Sequence, residues 1–237
     1  MGVRGRLCAC RVANGINTVH LSYVREKAGH ALAGARQWIP AEDIKDPVKS
    51  LVTGLPPDLR FRAKGQLAIA VLAGAYADGL AFDFVCGDEV YGGCTKLRRF
   101  LEDSGQAYVL RVASNFVRTL AAGTASDLRA DREEAALGKK DREARSAGKG
   151  SKGDRWYAWA WLATATPSHS LLVRRHLKTG ELAFCYCYVP AGQRPFTRHA
   201  KTYDQPAAVA RMLGSMSGVV DPRARSFLVI MLPWKEP

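Results

Sequence analysis

The sequence predicts an α/β fold, and three observations carry that expectation. Two stretches with helical spacing, residues 62–78 and 95–104, alternate with two short apolar runs, residues 81–86 and 107–112. Helix, strand, helix, strand in that order makes a β-α-β unit, whose crossover is almost always right-handed. Beyond residue 155 the pattern turns to strands alone, at 156–163, 171–177 and 181–189, the last two joined by the hairpin-type turn Lys178-Thr179-Gly180.

The elements follow in order. Residues 10–24 are strand-like, and Asn14-Gly15 offers a hairpin turn between two halves. Residues 29–39 predict another strand, stopped by Pro40, and Pro40, Pro47, Pro56 and Pro57 mark a connector with room for a helical turn or two. In the helix at 62–78, Leu67, Ala68, Val71, Leu72 and Ala75 share a face and Gly79 follows as its cap. The strand at 81–86 runs through Gly87 into the acidic pair Asp88-Glu89. Leu97, Phe100 and Leu101 give the next helix its apolar stripe, and Gly105 ends it. Residues 127–155 hold nine basic and seven acidic side chains and predict a solvated helix and loop. Past Pro190 no period holds, and a poorly ordered tail is expected.

Composition narrows the function classes. The 237 residues suit one substantial domain, and 35 Lys and Arg against 22 Asp and Glu give a net charge of +13. That excess suits a polyanion such as nucleic acid. No apolar run reaches the roughly 20 residues of a membrane helix, and no apolar stretch follows the amino terminus as a signal peptide requires. A cytoplasmic protein without membrane partners is expected, its six cysteines reduced.

Three motifs invite chemistry. Asp88 at a strand's carboxyl end sits where α/β folds place ligands and metals, although the same position is a common helix N-cap. Cys8-Ala-Cys10 and Cys185-Tyr-Cys187 have the wrong internal spacing for structural zinc and predict idle thiols. Gly148-Lys-Gly-Ser-Lys-Gly153 fails the phosphate-loop pattern, which needs a Gly at position 143 and Ser or Thr at position 150. A flexible loop carrying Lys149 and Lys152, closed by Arg155 and backed by Trp156, Tyr157, Trp159 and Trp161, fits a contact with DNA backbone. A plain linker before a strand is the other reading.

Several blocks together resemble bacterial insertion-sequence transposases of the DDE superfamily, in the group numbered 701. They are Gly29-His-Ala-Leu, Trp38-Ile-Pro, Gly87-Asp-Glu-Val-Tyr-Gly92, Leu97-Arg98, Phe100-Leu-Glu102, Gly105 and Tyr108-Val-Leu110. Further on come Gly148, Gly150, Lys152, Gly153 and Arg155, then Tyr157, Trp159, Leu172-Val-Arg-Arg175, Glu181-Leu-Ala, Cys187-Tyr188 and Pro190-Ala-Gly. The resemblance spans about residues 10–193, and Gly87 to Gly92 is its most specific block. It implies a ribonuclease-H-like core with a β-rich insertion, divided as a partial core over 1–121, a charged linker and insertion over 122–190, and a divergent tail over 191–237.

The implied activity is DNA strand cleavage and transfer on two Mg²⁺ ions held by three carboxylates. Asp88 matches the second of these, as catalytic and metal-binding residue. The implied nucleic-acid contacts are Arg98, Lys149, Lys152 and Arg155. DNA is the implied partner, with intact transposase or a second copy as further ones, and the bacterial nucleoid the implied location. The first Asp is expected on a strand before the Cys10 region, yet the earliest Asp is Asp43. The third carboxylate is expected as a Glu after the insertion, yet beyond Pro190 the only Glu is Glu236. One carboxylate cannot hold two divalent ions against their mutual repulsion. The expectation is therefore a truncated copy, with an incomplete core and a frame shift near Gln193, that cannot catalyse. A non-catalytic DNA-binding product competing with intact transposase is the alternative. An incomplete core also predicts an unsatisfied sheet edge beside the strand leading to Asp88.

Overall fold

The computed structural model describes residues 4–7, 11–14, 16–25, 29–119, 127–150, 153–191 and 227–231. The chain begins with β1 (Arg4–Leu7), β2 (Arg11–Asn14), β3 (Asn17–Arg25) and β4 (Gly29–Trp38). Three helices follow: α1 (Ala41–Lys45), α2 (Pro47–Thr53) and α3 (Lys64–Ala77). Next come β5 (Phe84–Gly87), α4 (Glu89–Gly92), α5 (Thr95–Asp103), β6 (Tyr108–Val112), β7 (Val117–Thr119), β8 (Asp127–Arg129) and α6 (Ala130–Ala136). The second half supplies β9 (Glu143–Gly150), β10 (Gly153–Ala163), β11 (His169–His176), β12 (Leu182–Tyr188) and β13 (Phe227–Met231).

Nine of these strands form one mixed sheet in the order β4-β3-β13-β5-β6-β12-β11-β10-β9. β5 runs parallel to both β13 and β6, and every other pairing is antiparallel. This mixed α/β architecture is compatible with a ribonuclease-H-like fold. The strands from β9 to β12 do not form a sheet of their own. They continue the central one, because β12 pairs with β6 from Tyr188↔Tyr108 to Phe184↔Val112.

Alternation along the central strands sends side chains to two cores. Val85, Tyr108, Leu110, Val112, Phe184 and Tyr186 join the core that includes α3, Tyr91 and α5. Phe84, Cys86, Val109, Leu172, Cys185 and Cys187 form the second core. Strands buried on both faces read as unbroken apolar runs, which is why Phe84-Val-Cys and Tyr108-Val-Leu are so legible. The C-x-C spacing is that same alternation: both sulfurs face the second core.

α3 follows its sequence pattern. Leu67, Ala68, Val71, Leu72 and Ala75 are all buried, and a fully buried Leu such as Leu72 contributes about 1.5–3 kcal/mol. Its end is a left-handed cap: Gly79 has φ of 72°, and Leu80 N donates to Ala75 O at 2.9 Å.

Four expectations need correction. β2 pairs with β1, and β3 pairs with β4, so Asn14-Gly15 does not close a hairpin. The charged stretch 127–155 is more strand than helix, because β9 pairs antiparallel with β10 and buries part of its backbone in the sheet. On its described residues the Gly-Lys segment continues the ladder, since Lys149 and Gly150 belong to β9, Gly153 to β10, and Gly150 pairs with Gly153. Of the tail, the described segment Phe227–Met231 lies within the sheet. β13 fills the place beside β5 where an open edge was expected, in register from Phe227↔Phe84 to Ile230↔Gly87.

Candidate functional site

β5 ends at Gly87, and Asp88 follows as the N-cap of the single-turn helix α4. Its Oδ1 accepts from Val90 N at 2.9 Å, and its carbonyl accepts from Tyr91 N and Gly92 N at 3.1 and 3.0 Å. The two sequence readings of Asp88 are thus compatible, since it caps a helix at the carboxyl end of a parallel strand. Burial holds its carboxyl above the usual carboxylate range. Hydrogen bonds from the Val90 and Tyr91 backbone and the charges of Lys64 and Arg111 act the other way without cancelling that.

The Gly-Asp-Glu-Val-Tyr-Gly block is built for close packing of α4 on β6. A Cβ on Gly92 would lie 2.8 Å from the Arg111 carbonyl carbon and nearer still to its oxygen. A Cβ on Gly87 would lie 2.9 Å from Leu110 Cδ2. Tyr91 is fully buried, and burial together with the Asp88 charge pushes its phenol up. Glu89 is exposed.

Arg98, expected as a nucleic-acid contact, is buried. It is 5% exposed, and its guanidinium donates to the Gly92 carbonyl and, at 3.1 Å, to Thr95 Oγ1. It also lies over the Phe116 ring, 5.4 Å from the centroid. Its role here is to hold α4 against α5. Lys149 and Arg155 occupy opposite arms of the β9–β10 hairpin, and Lys152 lies outside the described residues. The hairpin forms the far edge of the sheet, with three strands, β6, β12 and β11, between it and β5. Asp88 and the basic hairpin are therefore not brought together.

A family model described as DDE superfamily endonuclease matches residues 2–163. The chain belongs to the DDE superfamily endonucleases. Among curated proteins none matches it. Membership makes transposase-type action on DNA with divalent metal ions the family's general chemistry.

Among the described residues, those around Asp88 do not assemble the carboxylate set of a two-metal centre. Among the described residues no three His, Cys, Asp or Glu side chains cluster as a metal site. Asp83 precedes β5 at its amino end, about 16 Å from Asp88 at strand rise. Asp103 closes α5, whose following turn reaches the same amino end, where Gln106 Nε2 donates to Asp83 O at 3.1 Å. β13, in the slot next to β5, contributes Phe-Leu-Val-Ile-Met and no carboxylate. The Lys64 and Arg111 charges that act on Asp88 also disfavour a divalent ion beside it.

Sequence reasoning missed Lys64 and Arg111. It also missed a polar cluster joining α5 to the later strands. Glu102 Oε1 accepts from Tyr108 Oη at 2.6 Å and lies 3.2 Å from His169 Nε2. His169 packs against Tyr186 and Tyr188 at 5.3 and 4.9 Å. Nothing in the spacing of Glu102 and His169 signals a contact across 67 residues. Cys185 and Cys187 are free and buried, and burial pushes the Cys185 thiol up to about 11. Cys8 and Cys10 lie outside the described residues. No helix among the described residues is long and apolar enough to cross a membrane.

Proposed function

We propose that this chain is a transposase-derived polypeptide of insertion-sequence type, in the group numbered 701, that engages DNA but does not cleave or transfer strands by itself. Asp88 stands as the second of three carboxylates, and the first Asp and the Glu are missing from the 237 residues. The observation that carries the reading is that Asp88 belongs to no cluster of three potential metal ligands among the described residues. It is committed to capping α4, it is influenced by two cations, and the strand beside it has no acidic residue. Mg²⁺ remains the ion the family chemistry would call for, and Asp88 the residue that would touch it.

DNA engagement rests on the +13 charge and on the β9–β10 hairpin. A two-stranded ribbon fits a groove or tracks a backbone, and Lys149, Lys152 and Arg155 place three cations within seven residues of it. In a cell such a chain competes with intact transposase for the element's ends, in the cytoplasm and at the nucleoid. Gel-shift titration against an element end and a shuffled duplex, over a range of salt, tests this. Binding that weakens steeply with salt, and that loses affinity when Lys149, Lys152 and Arg155 become Ala, is the expected result. Undetectable binding at low salt would remove the DNA-binding reading.

A further inference from the structure

We propose that the slot between β3 and β5 is a site for one extended apolar strand, which this chain fills with its own segment Phe227–Met231. β13 is last in sequence yet third in the sheet. It pairs antiparallel with β3 over five positions, Phe227↔Val24 to Met231↔His20, and parallel with β5 over four.

The slot has a definite shape. Among the described residues β13 is the strand that bridges β3 and β5, and α3 also packs on both β3 and β4. Withdrawing β13 would leave two facing rows of unpaired N–H and C=O groups. Each such buried group costs about 1–3 kcal/mol, so an empty slot is far less stable than a filled one. The occupant must run parallel to β5 and carry apolar residues at consecutive positions, because β5 beside it is buried on both faces. Phe-Leu-Val-Ile-Met meets that demand without a break, and Pro233 follows it.

Direction settles the chemical consequence. One residue past the pair Ile230↔Gly87, the strand reaches Met231 abreast of Asp88. The chain completes its sheet and, by the same contact, excludes a strand bearing an aspartate. A strand offered by another polypeptide would have to displace β13, as in strand-addition complexes. The inference rests on backbone pairing alone. Failure to bind DNA leaves it standing, and its own failure leaves the family assignment untouched.

Hydrogen exchange on the full chain tests it, with light scattering on the same sample. A monomer in which the amides of Leu228, Val229 and Ile230 are protected within about 10-fold of Val85 and Cys86 is expected. Exchange of those three amides at least about 100-fold faster than β5 would overturn the proposal. So would a dimer that V229P converts to monomer, because the strand would then belong to a partner's sheet. V229P removes a donor from a central strand and is expected to lower protection across β3 and β5. Adding a peptide of residues 225–233 in trans should restore it, while unchanged protection in V229P counts against the proposal. If V229P yields no folded protein, the exchange pattern of the unaltered chain decides.

Discussion

Replacing Gly92 by Ala tests whether the motif around Asp88 is a packing device. The added methyl would sit 2.8 Å from the Arg111 carbonyl carbon and 3.1 Å from Val112 Cγ1, with the carbonyl oxygen nearer still. Cβ atoms do not approach other atoms below 3.0 Å, and the backbone of β6 lies inside the sheet and cannot yield. α4 must therefore lift from β6 by about 1 Å, an overpacking that costs about 1–3 kcal/mol or more. Lifting α4 also strains the bond from Arg98 to the Gly92 carbonyl, a charged hydrogen bond of about 1.5–3 kcal/mol. A total loss near 3–5 kcal/mol is expected, read as a fall in the urea midpoint at constant slope. Gly74 provides the control. It lies within α3 with nothing within 4 Å of an added Cβ, so G74A should gain about 0.5–1 kcal/mol. A G92A variant within 1 kcal/mol of the parent, on the order of the uncertainty in such extrapolations, would refute the packing account.

Other predictions follow from the same geometry. R98M should destabilise by about 2–3 kcal/mol by stranding the Gly92 carbonyl, yet leave the salt slope of DNA binding unchanged. Ala at Lys149, Lys152 and Arg155 should do the reverse, each lowering that slope by about 1 in a log–log titration without moving the urea midpoint. Asp88 binds its proton more tightly folded than unfolded. Its contribution is therefore most favourable at pH below the ordinary carboxylate value and falls as pH rises toward the raised one. Urea midpoints of parent minus D88N should decline through that window and then flatten, and a difference that rises with pH would contradict the assigned burial effect. Peptide-mapped alkylation should label Cys86, Cys185 and Cys187 only after denaturant is added, since all three thiols are buried and pushed up.

How much of this was legible depended on how local the signal was. The α3 face, the runs at β5 and β6, and the Lys178-Thr179-Gly180 turn each carry their pattern within a few residues, and each formed as expected. β9 was hidden because its charges and glycines look like a solvated loop until β10 supplies its ladder. β13 has a five-residue apolar run, a fair sign of a buried strand, but strands joined across a long stretch give no hint of where they insert. Asp88 was found from its position after a strand and its block of neighbours. The cations acting on it come from α3 and β6, and its contact with Val90 N is the ordinary capping geometry that competed with the metal reading from the start. The burial of Arg98 was not legible either: nothing in the Leu97-Arg98 pattern signals the buried Gly92 carbonyl, the Thr95 hydroxyl and the Phe116 ring that it meets.

The central claim is that a DDE-family chain with one placed carboxylate does not cut DNA. Its most direct test is the nicking of supercoiled plasmid and of element-end duplex by the purified full chain, with Mg²⁺ or Mn²⁺, beside D88A. The account predicts product at the level of the D88A and metal-free controls under conditions where binding is complete. Metal-dependent cleavage that D88A abolishes would contradict it.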